Sequence, residues 1–378
     1  MKTPNIKAGR KRRPTLTLAV DSGALSPRDQ REKGGVATVT LNLLTELARL
    51  DKHNRYLLYS YSSLDKTLLS KFAGRAINRV LPRIGFNKLW LKLFLKWDRP
   101  QVYLALAQAA PETQVPILGF VYDLAFYQYH DYPNLHKLVA NTEKLVKNAQ
   151  HLITISEVSK VDLERKFHLK TKQVSLFYPG VAADFSPQGT KFIDAHPYFL
   201  YVGALKRTKN IPQIITGFYQ FVTKHGRNYY LILVGSDKDL DPEIQIKLDK
   251  YQLRDLVKIK GYVPSKDLPK YYRGAIALVS PSLVEGFGLP VAEAMACGTP
   301  VIVSHHPALV EVVDKAGLKV DEKNAAEIGL ALSRLATNDT FRQKLVKLGL
   351  RQARKYSWHR FAKGVLNDVY KYCVPKNV

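Results

Sequence analysis

The chain reads as an α/β protein of two doubly wound parallel sheets. Three observations predict this. Short apolar runs end in glycine or polar residues, helix-spaced apolar residues lie between them, and 378 residues are too many for one ordinary domain.

The first series opens with a strand over 16–20, followed by a polar, glycine-bearing loop over 21–35. From 36 to 50, Val36, Val39, Leu43, Leu44, Leu47 and Leu50 recur three and four apart, which is a helix. Strands follow at 56–59, 117–121, 152–155 and 174–177. A second series begins near Pro197. A strand over 198–202 is stopped by Gly203, and a helix over 210–225 carries Pro212 in its first turn. Strands at 229–234, 257–259, 275–279 and 300–304 alternate with a helical turn at 268–273. Helices over 325–335 and 340–355 close the series. The boundary between the two series falls in the polar stretch 186–197. The expected organisation is a basic, disordered tail over 1–13, a first Rossmann-like domain over 14–190, and a second over 191–357.

With 46% hydrophobic and 24% charged residues, the chain can bury two cores, and it has no run of the ~18 apolar residues a membrane span needs. Basic residues open the chain without an apolar signal-peptide segment behind them, which predicts a cytoplasmic protein. Cys297 and Cys373 match no zinc, haem or disulfide spacing. The net charge of +26 is read either as an anionic partner, whether nucleic acid, an acidic membrane or a phosphorylated substrate, or as a solvated lysine-rich surface, and charge alone does not choose between them.

The most specific stretch is AIALVSPSLVEGFGLPVAEAMACGTPVIVS, 275–304. A buried strand ends at Ser280, a loop holds Gly286 and Gly288, and Pro290 starts a helix that stops at Gly298, where a left-handed cap costs little. The N–H groups of Gly288 and Leu289 at the positive helix end suit a diphosphate. Glu293, one turn inside, suits the two hydroxyls of a ribose, and Glu285 in the loop suits sugar hydroxyls.

These residues resemble the signature of the group 1 glycosyltransferases, a retaining family of the GT-B fold marked by two glutamates with seven residues between. The likeness extends to YVGALKRTKNIPQIITGF (201–218), GYVPSKDLPKYYRGA (261–275), GGVATVTLNLLTEL (34–47), ITISEVSKVDL (153–163) and YPGVAADFSP (178–187). The end of the chain, 358–375, resembles the family's last helix, which crosses back to the first domain. The resemblance implies two Rossmann-like domains facing across a cleft, with the acceptor bound by the first and a nucleotide-diphosphate sugar by the second. It assigns Glu293 to the donor ribose and Glu285 to the transferred sugar. Gly286, Phe287, Gly288, Leu289 and Gly203 complete the donor site, while Gly34 and Gly35 let the first loop approach the diphosphate. Lys209 holds the diphosphate and stabilises the departing nucleotide without a metal. The family often has Arg directly before that Lys. Here Thr208 stands there, so the second cation falls to Arg207 or Lys206. Asp123 follows Tyr122 where the family commonly has His, leaving Asp123 an orienting or a helix-capping role.

No cofactor and no metal are expected, the nucleotide sugar being a co-substrate. Of ten histidines, His305 and His306 are adjacent and point apart. On the acceptor side, 87–99 reads NKLWLKLFLKWDR, with Lys88, Lys92 and Lys96 four apart among leucines, Phe94 and two tryptophans. As a helix this suits the anionic inner face of a membrane; a core helix with snorkelling lysines and a strand are the other readings. The acceptor is expected to be a saccharide or lipid-linked glycan. A catalytically silent subunit and a basic polyanion-binding protein are the competing readings. The 21 scattered tyrosines form no base-stacking face, so nucleic acid is not expected.

Overall fold

The computed structural model describes residues 15–26, 34–128, 134–236 and 240–373. The basic tail and part of the first loop, 27–33, lie outside the described residues.

In the first half, chain order runs β1 (Thr17–Asp21), α1 (Gly35–Leu50), β2 (Arg55–Ser60), α2 (Lys66–Ser70), β3 (Ala76–Val80), α3 (Leu91–Asp98), β4 (Val102–Ala105), β5 (Ile117–Phe120), α4 (Leu135–Asn148), β6 (His151–Thr154), α5 (Glu157–Phe167) and β7 (Val174–Leu176). Every strand pairing is parallel, and the sheet order is β3-β2-β1-β4-β5-β6-β7. Helices cover both faces, so β4, β5 and β6 are buried along their whole length.

In the second half come β8 (Tyr198–Val202), α6 (Ile211–His225), β9 (Tyr230–Val234), α7 (Pro242–Lys250), β10 (Val257–Gly261), α8 (Leu268–Gly274), β11 (Ala277–Ser280), α9 (Leu289–Ala296), β12 (Val301–Ser304), α10 (Pro307–Val313), β13 (Gly317–Val320), α11 (Ala325–Thr337) and α12 (Asp339–Ala353). The order β10-β9-β8-β11-β12-β13 repeats that of the first sheet, again all parallel. Each sheet therefore reverses its winding once, between β1 and β4 and between β8 and β11. In open α/β sheets, ligands gather outside the carboxyl ends of the strands at that switch.

The last helix, α13 (Trp358–Asp368), returns to pack on α1 of the first half. Phe361 lies 6.4 Å from Phe120 of β5. Where it arrives, a Cβ on Gly180 would overlap the Trp358 backbone, so only glycine admits the crossing. One apolar cluster runs from the first sheet into the second half, and Phe287 stands 6.2 Å from Tyr178 and 5.1 Å from Tyr356 within it.

Three expected boundaries shift. The strand expected from Ala275 starts at Ala277, because the Ala275 N–H still closes α8 on Tyr272. Asn210 is left-handed (φ 60°), so α6 begins one residue later. Residues 87–99 are a π-turn, Phe86–Trp90, leading into α3; the strand reading fails because Leu91 and Leu95 share one buried helical face. The strands β3, β4 and β13 escape a reading of apolar runs. Ala76–Val80 and Gly317–Val320 carry Asn, Arg, Gly or Lys, and Val102–Ala105 is four residues long.

Candidate functional site

Two loops at the carboxyl edge of the second sheet build the centre of the cleft. After β8, residues Arg207–Lys209 make a 3-10 turn ended by left-handed Asn210. The Asn210 amide donates to the carbonyls of Pro281 (3.1 Å) and Glu322 (2.7 Å). The Leu283 N–H donates to the Thr208 carbonyl at 3.0 Å, so this turn and the loop after β11 are sewn together. The result is a fixed meeting of Lys209 Nζ with Glu285 Oε1 at 2.6 Å, both largely shielded from solvent.

Beyond Glu285, Gly288 takes φ +100° and caps α9, with Pro290 in the first turn. Among the described residues, the N–H groups of Phe287, Gly288 and Leu289 have no acceptor. They form an anion-seeking helix end beside Lys209. The helix stops as the sequence predicts: Gly298 is left-handed (φ +76°) and its N–H reaches the Met295 carbonyl at 3.1 Å. Glu293 lies one turn inside. The buried Tyr272 hydroxyl donates to its Oε2 at 3.0 Å. Burial pushes the Glu293 carboxyl up to about 7, and the Tyr272 bond pulls it back only in part. At neutral pH this group is poised between an acceptor-only carboxylate and an acid.

The first half meets this loop directly. A Cβ on Gly286 would come within 2.9 Å of the Tyr122 carbonyl and 3.2 Å of Asp123 Oδ2. Glycine here serves contact between the halves. Asp123 Oδ1 accepts the Ala125 N–H at 3.1 Å, so it does cap the short turn after β5. Burial raises its carboxyl, while the Ala125 bond and the charges of Lys209 and Lys206 pull it down. Of the two candidates for the second cation, half-buried Lys206 acts on Asp123 and Arg207 is exposed. Tyr122 turns away from the cleft, its hydroxyl donating to the Leu106 carbonyl at 2.8 Å.

Gly203 ends β8 at the switch point, pressed so close to Gly235 that a Cβ on the latter would overlap the Gly203 carbonyl. The Phe287 side chain is core. Gly34 and Gly35 open α1 and, among the described residues, no atom lies within 4 Å of a Cβ at either position.

Four participants escape the sequence reading. Asp21 ends β1 at the first switch point and is almost wholly buried. Desolvation pushes it up to about 6 against one bond from the Gly23 N–H. Tyr272 holds Glu293, as described. His306, whose Nδ1 accepts the Ala308 N–H at 3.3 Å, feels the charges of Glu285, Lys209 and Asp123, and burial lowers its pKa. Glu311 of α10 accepts the Glu157 N–H of α5 at 2.9 and 3.1 Å and the Tyr178 hydroxyl at 2.6 Å, tying the halves together. No local pattern announces these: Tyr272 and Glu311 meet partners from distant elements, and Asp21 and His306 are set by burial that only the fold reveals. Among the described residues, no group of three His, Cys, Asp or Glu could hold a metal ion.

With this geometry in place, comparison with known proteins is informative. Residues 183–352 match the family of glycosyl transferases group 1. The O-antigen chain mannosyltransferase B of Escherichia coli is 28% identical over 250 residues, 64% of this chain and 65% of the relative. The O-antigen chain mannosyltransferase RfbU of Salmonella typhimurium is 34% identical over 183 residues, 47% of this chain and 50% of the relative. The chain thus spans half to just under two thirds of these relatives' length. Among solved structures, the sucrose-phosphate synthase of Thermosynechococcus elongatus superposes with a TM-score of 0.75 at 20% identity, covering 94% of this chain and 98% of that one. The Anabaena protein HepE, solved with UDP and glucose, gives 0.73 at 14% identity, covering 94% of this chain and 99% of its own. WaaG, a glycosyltransferase involved in lipopolysaccharide biosynthesis, gives 0.72 at 14%, covering 93% and 99%. The fold is GT-B.

Proposed function

From a chain whose residues 183–352 belong to the group 1 glycosyltransferases, we propose a retaining hexosyltransferase that draws on a nucleotide-diphosphate sugar. The acceptor in this reading is a saccharide or lipid-linked glycan of the cell envelope, met at the cytosolic face of the membrane. Mannose is the first candidate sugar, because two of the relatives are named as O-antigen mannosyltransferases.

The observation that carries the reading is the Lys209–Glu285 pair, set beside the vacant N–H groups that open α9, with Glu293 one turn inside. A diphosphate entering here takes Lys209 and those N–H groups, and Glu285 is released to accept sugar hydroxyls. The ribose hydroxyls donate to Glu293. The bond from the anomeric carbon to the β-phosphate oxygen then breaks while the acceptor oxygen bonds to that carbon from the same face. The acceptor proton passes to the departing phosphate oxygen. Lys209 and the helix end sit where negative charge grows, so the chain supplies that stabilisation from its own groups without a metal. Asp123, held by its own turn and facing Gly286, orients the acceptor side.

A thermal-shift panel of GDP, UDP, ADP and their common sugars, run on the protein and on Glu293→Ala, tests this. A ligand at ~100 times its dissociation constant stabilises by about 2.7 kcal/mol. A shift with one nucleotide that the variant loses supports the donor site and names the base. A folded protein that shifts with none of them overturns the transferase reading.

A further inference from the structure

Among the described residues, twelve large apolar side chains are exposed, and six of them lie between positions 77 and 97. These are Ile77 (52%), Val80 (50%), Ile84 (91%), Leu89 (49%), Leu93 (49%) and Trp97 (80%). Scattered exposed apolar residues are ordinary; half of them in one 21-residue segment are not.

The fold draws most of the segment together, although Ile77 and Val80, three apart on a strand, point to opposite faces of the sheet. β3 is the edge strand of the first sheet, and the Arg79 guanidinium reaches Asp98 at 2.8 Å, drawing the strand to the end of α3. The Trp90 indole N–H donates to the Ile84 carbonyl at 3.1 Å and fixes the turn between them. Phe86, Leu91 and Leu95 point into the core. The opposite side carries two exposed stripes, each stepping by four: Leu89, Leu93 and Trp97, and beside them Lys88, Lys92 and Lys96. An apolar ridge running beside a basic ridge is the pattern of a helix that lies in a membrane interface. Asp98, the single acid between 77 and 99, is turned inward to Arg79 and the Tyr59 hydroxyl. Exposed Glu112 reaches Lys92 at 3.6 Å from outside the segment, and Lys88 and Lys96 leave the charge of this face net positive.

We infer that this face docks the first domain on an anionic lipid bilayer, with Ile84 and Trp97 entering the acyl boundary and Lys88 and Lys96 meeting the headgroups. A second copy of the chain is disfavoured as the occupant, because it presents the same positive face and carries the same surplus of +26. All strand pairings of the first sheet are parallel, so the turn after Val80 leaves from the edge that also carries Asp21. Docking there sets the acceptor half of the cleft toward the bilayer. In that respect the inference rests on the lipid-linked acceptor proposed above.

Flotation with phosphatidylcholine vesicles, with and without phosphatidylglycerol, tests it on the full chain and on the exposed-site variant Ile84→Glu/Trp97→Glu. The protein is expected to float with the anionic vesicles. The variant should partition at least about tenfold less while keeping its nucleotide thermal shift. Lys88→Ala and Lys96→Ala should each weaken binding about fivefold. A wild type that stays with the soluble fraction, or a double variant that floats equally well, overturns the inference. So does a wild-type dimer in sedimentation that the variant dissolves. Flotation without any nucleotide shift removes the transferase reading and leaves the membrane face. A nucleotide shift without flotation does the reverse.

Discussion

The two halves share one strand order and arm it differently. In the second half, the polar groups at the carboxyl edge come from adjacent loops knitted by the backbone bond from Leu283 to Thr208 and by the Asn210 side-chain amide donating to Pro281. Lys209, Glu285 and the α9 N-terminus are thus held before any ligand arrives. In the first half, Asp21 and Asp123 stand at the ends of β1 and β5, each fixed by one local backbone bond and each penalised by burial. The comparison separates a preorganised anion site from a half whose carboxylates are each held by one local backbone bond against the cost of burial. Under the proposed function, it implies that the donor is held by built-in geometry and that the first half acquires its final electrostatics only with substrate.

The largest expected effect strikes the preorganised half. Lys209→Ala removes the cation where charge develops and leaves Glu285 without its partner. Turnover should fall by about 10²–10³-fold, with Lys209→Arg recovering part of it. Nucleotide release from the donor sugar measures this. Turnover within a few-fold of wild type would break the contrast by showing that the α9 N-terminus suffices alone.

Next is Asp21, in the penalised half. Its folded-state pKa, about 6, lies above its ordinary 3.8, so the ionised form is the strained one. Its contribution to stability is fully present below pH 3.8 and is lost as pH rises through about 6. By pH 8 that loss amounts to about 3 kcal/mol. Asp21→Asn, which keeps the bond from Gly23, should raise the melting temperature at pH 8 and leave it unchanged at pH 4. If activity falls in the same variant, the burial of a charge there serves the reaction. No stabilisation at pH 8 would show that Asp21 is better solvated than its surroundings imply.

How much of this was open to reading follows from where each partner sits in the chain. The donor loop is contiguous: Glu285, both glycines, Pro290, Glu293 and the Gly298 stop lie within 14 residues, and the structure places the turn, the helix and its cap as their local chemistry dictates. The two sheets were legible because buried parallel strands are short apolar runs. What was not legible depends on space. Tyr272 meets Glu293 from 21 residues away, and Glu311 meets Tyr178 from 133. That Gly286 also meets Asp123 was not legible, because the two stand 163 positions apart in the chain. The apolar and basic stripes of 87–99 were visible, but which stripe faced the core was decided by Leu91 and Leu95, and that required the fold.

A smaller effect belongs to Glu293, where pH can sharpen the comparison. With a carboxyl poised at about 7, ribose hydroxyls that donate to the ionised form should bind better as pH rises from 6 to 8. Below the pKa, affinity should fall by about tenfold per pH unit. Isothermal titration with the cognate nucleoside diphosphate reads it, and Glu293→Gln should be weaker and flat over this range. A wild-type profile that is also flat would mean that the acid form serves the ribose equally well.

The smallest effect tests whether the first half touches the donor at all. Gly35 begins α1 with no described atom near its Cβ position, so among the described residues nothing demands glycine there. Alanine in a helix is favoured over glycine by about 0.5–1 kcal/mol, so Gly35→Ala should leave the melting temperature equal or slightly higher. If a diphosphate approaches that backbone when the cleft is filled, the added methyl meets the ligand. The Michaelis constant for the donor then rises severalfold while turnover at saturation is kept. If both constants stay put, the donor is held by the second half alone. The division between a preorganised half and a substrate-dependent one then becomes complete, because the sole role left to the start of α1 is to carry the helix that α13 packs against.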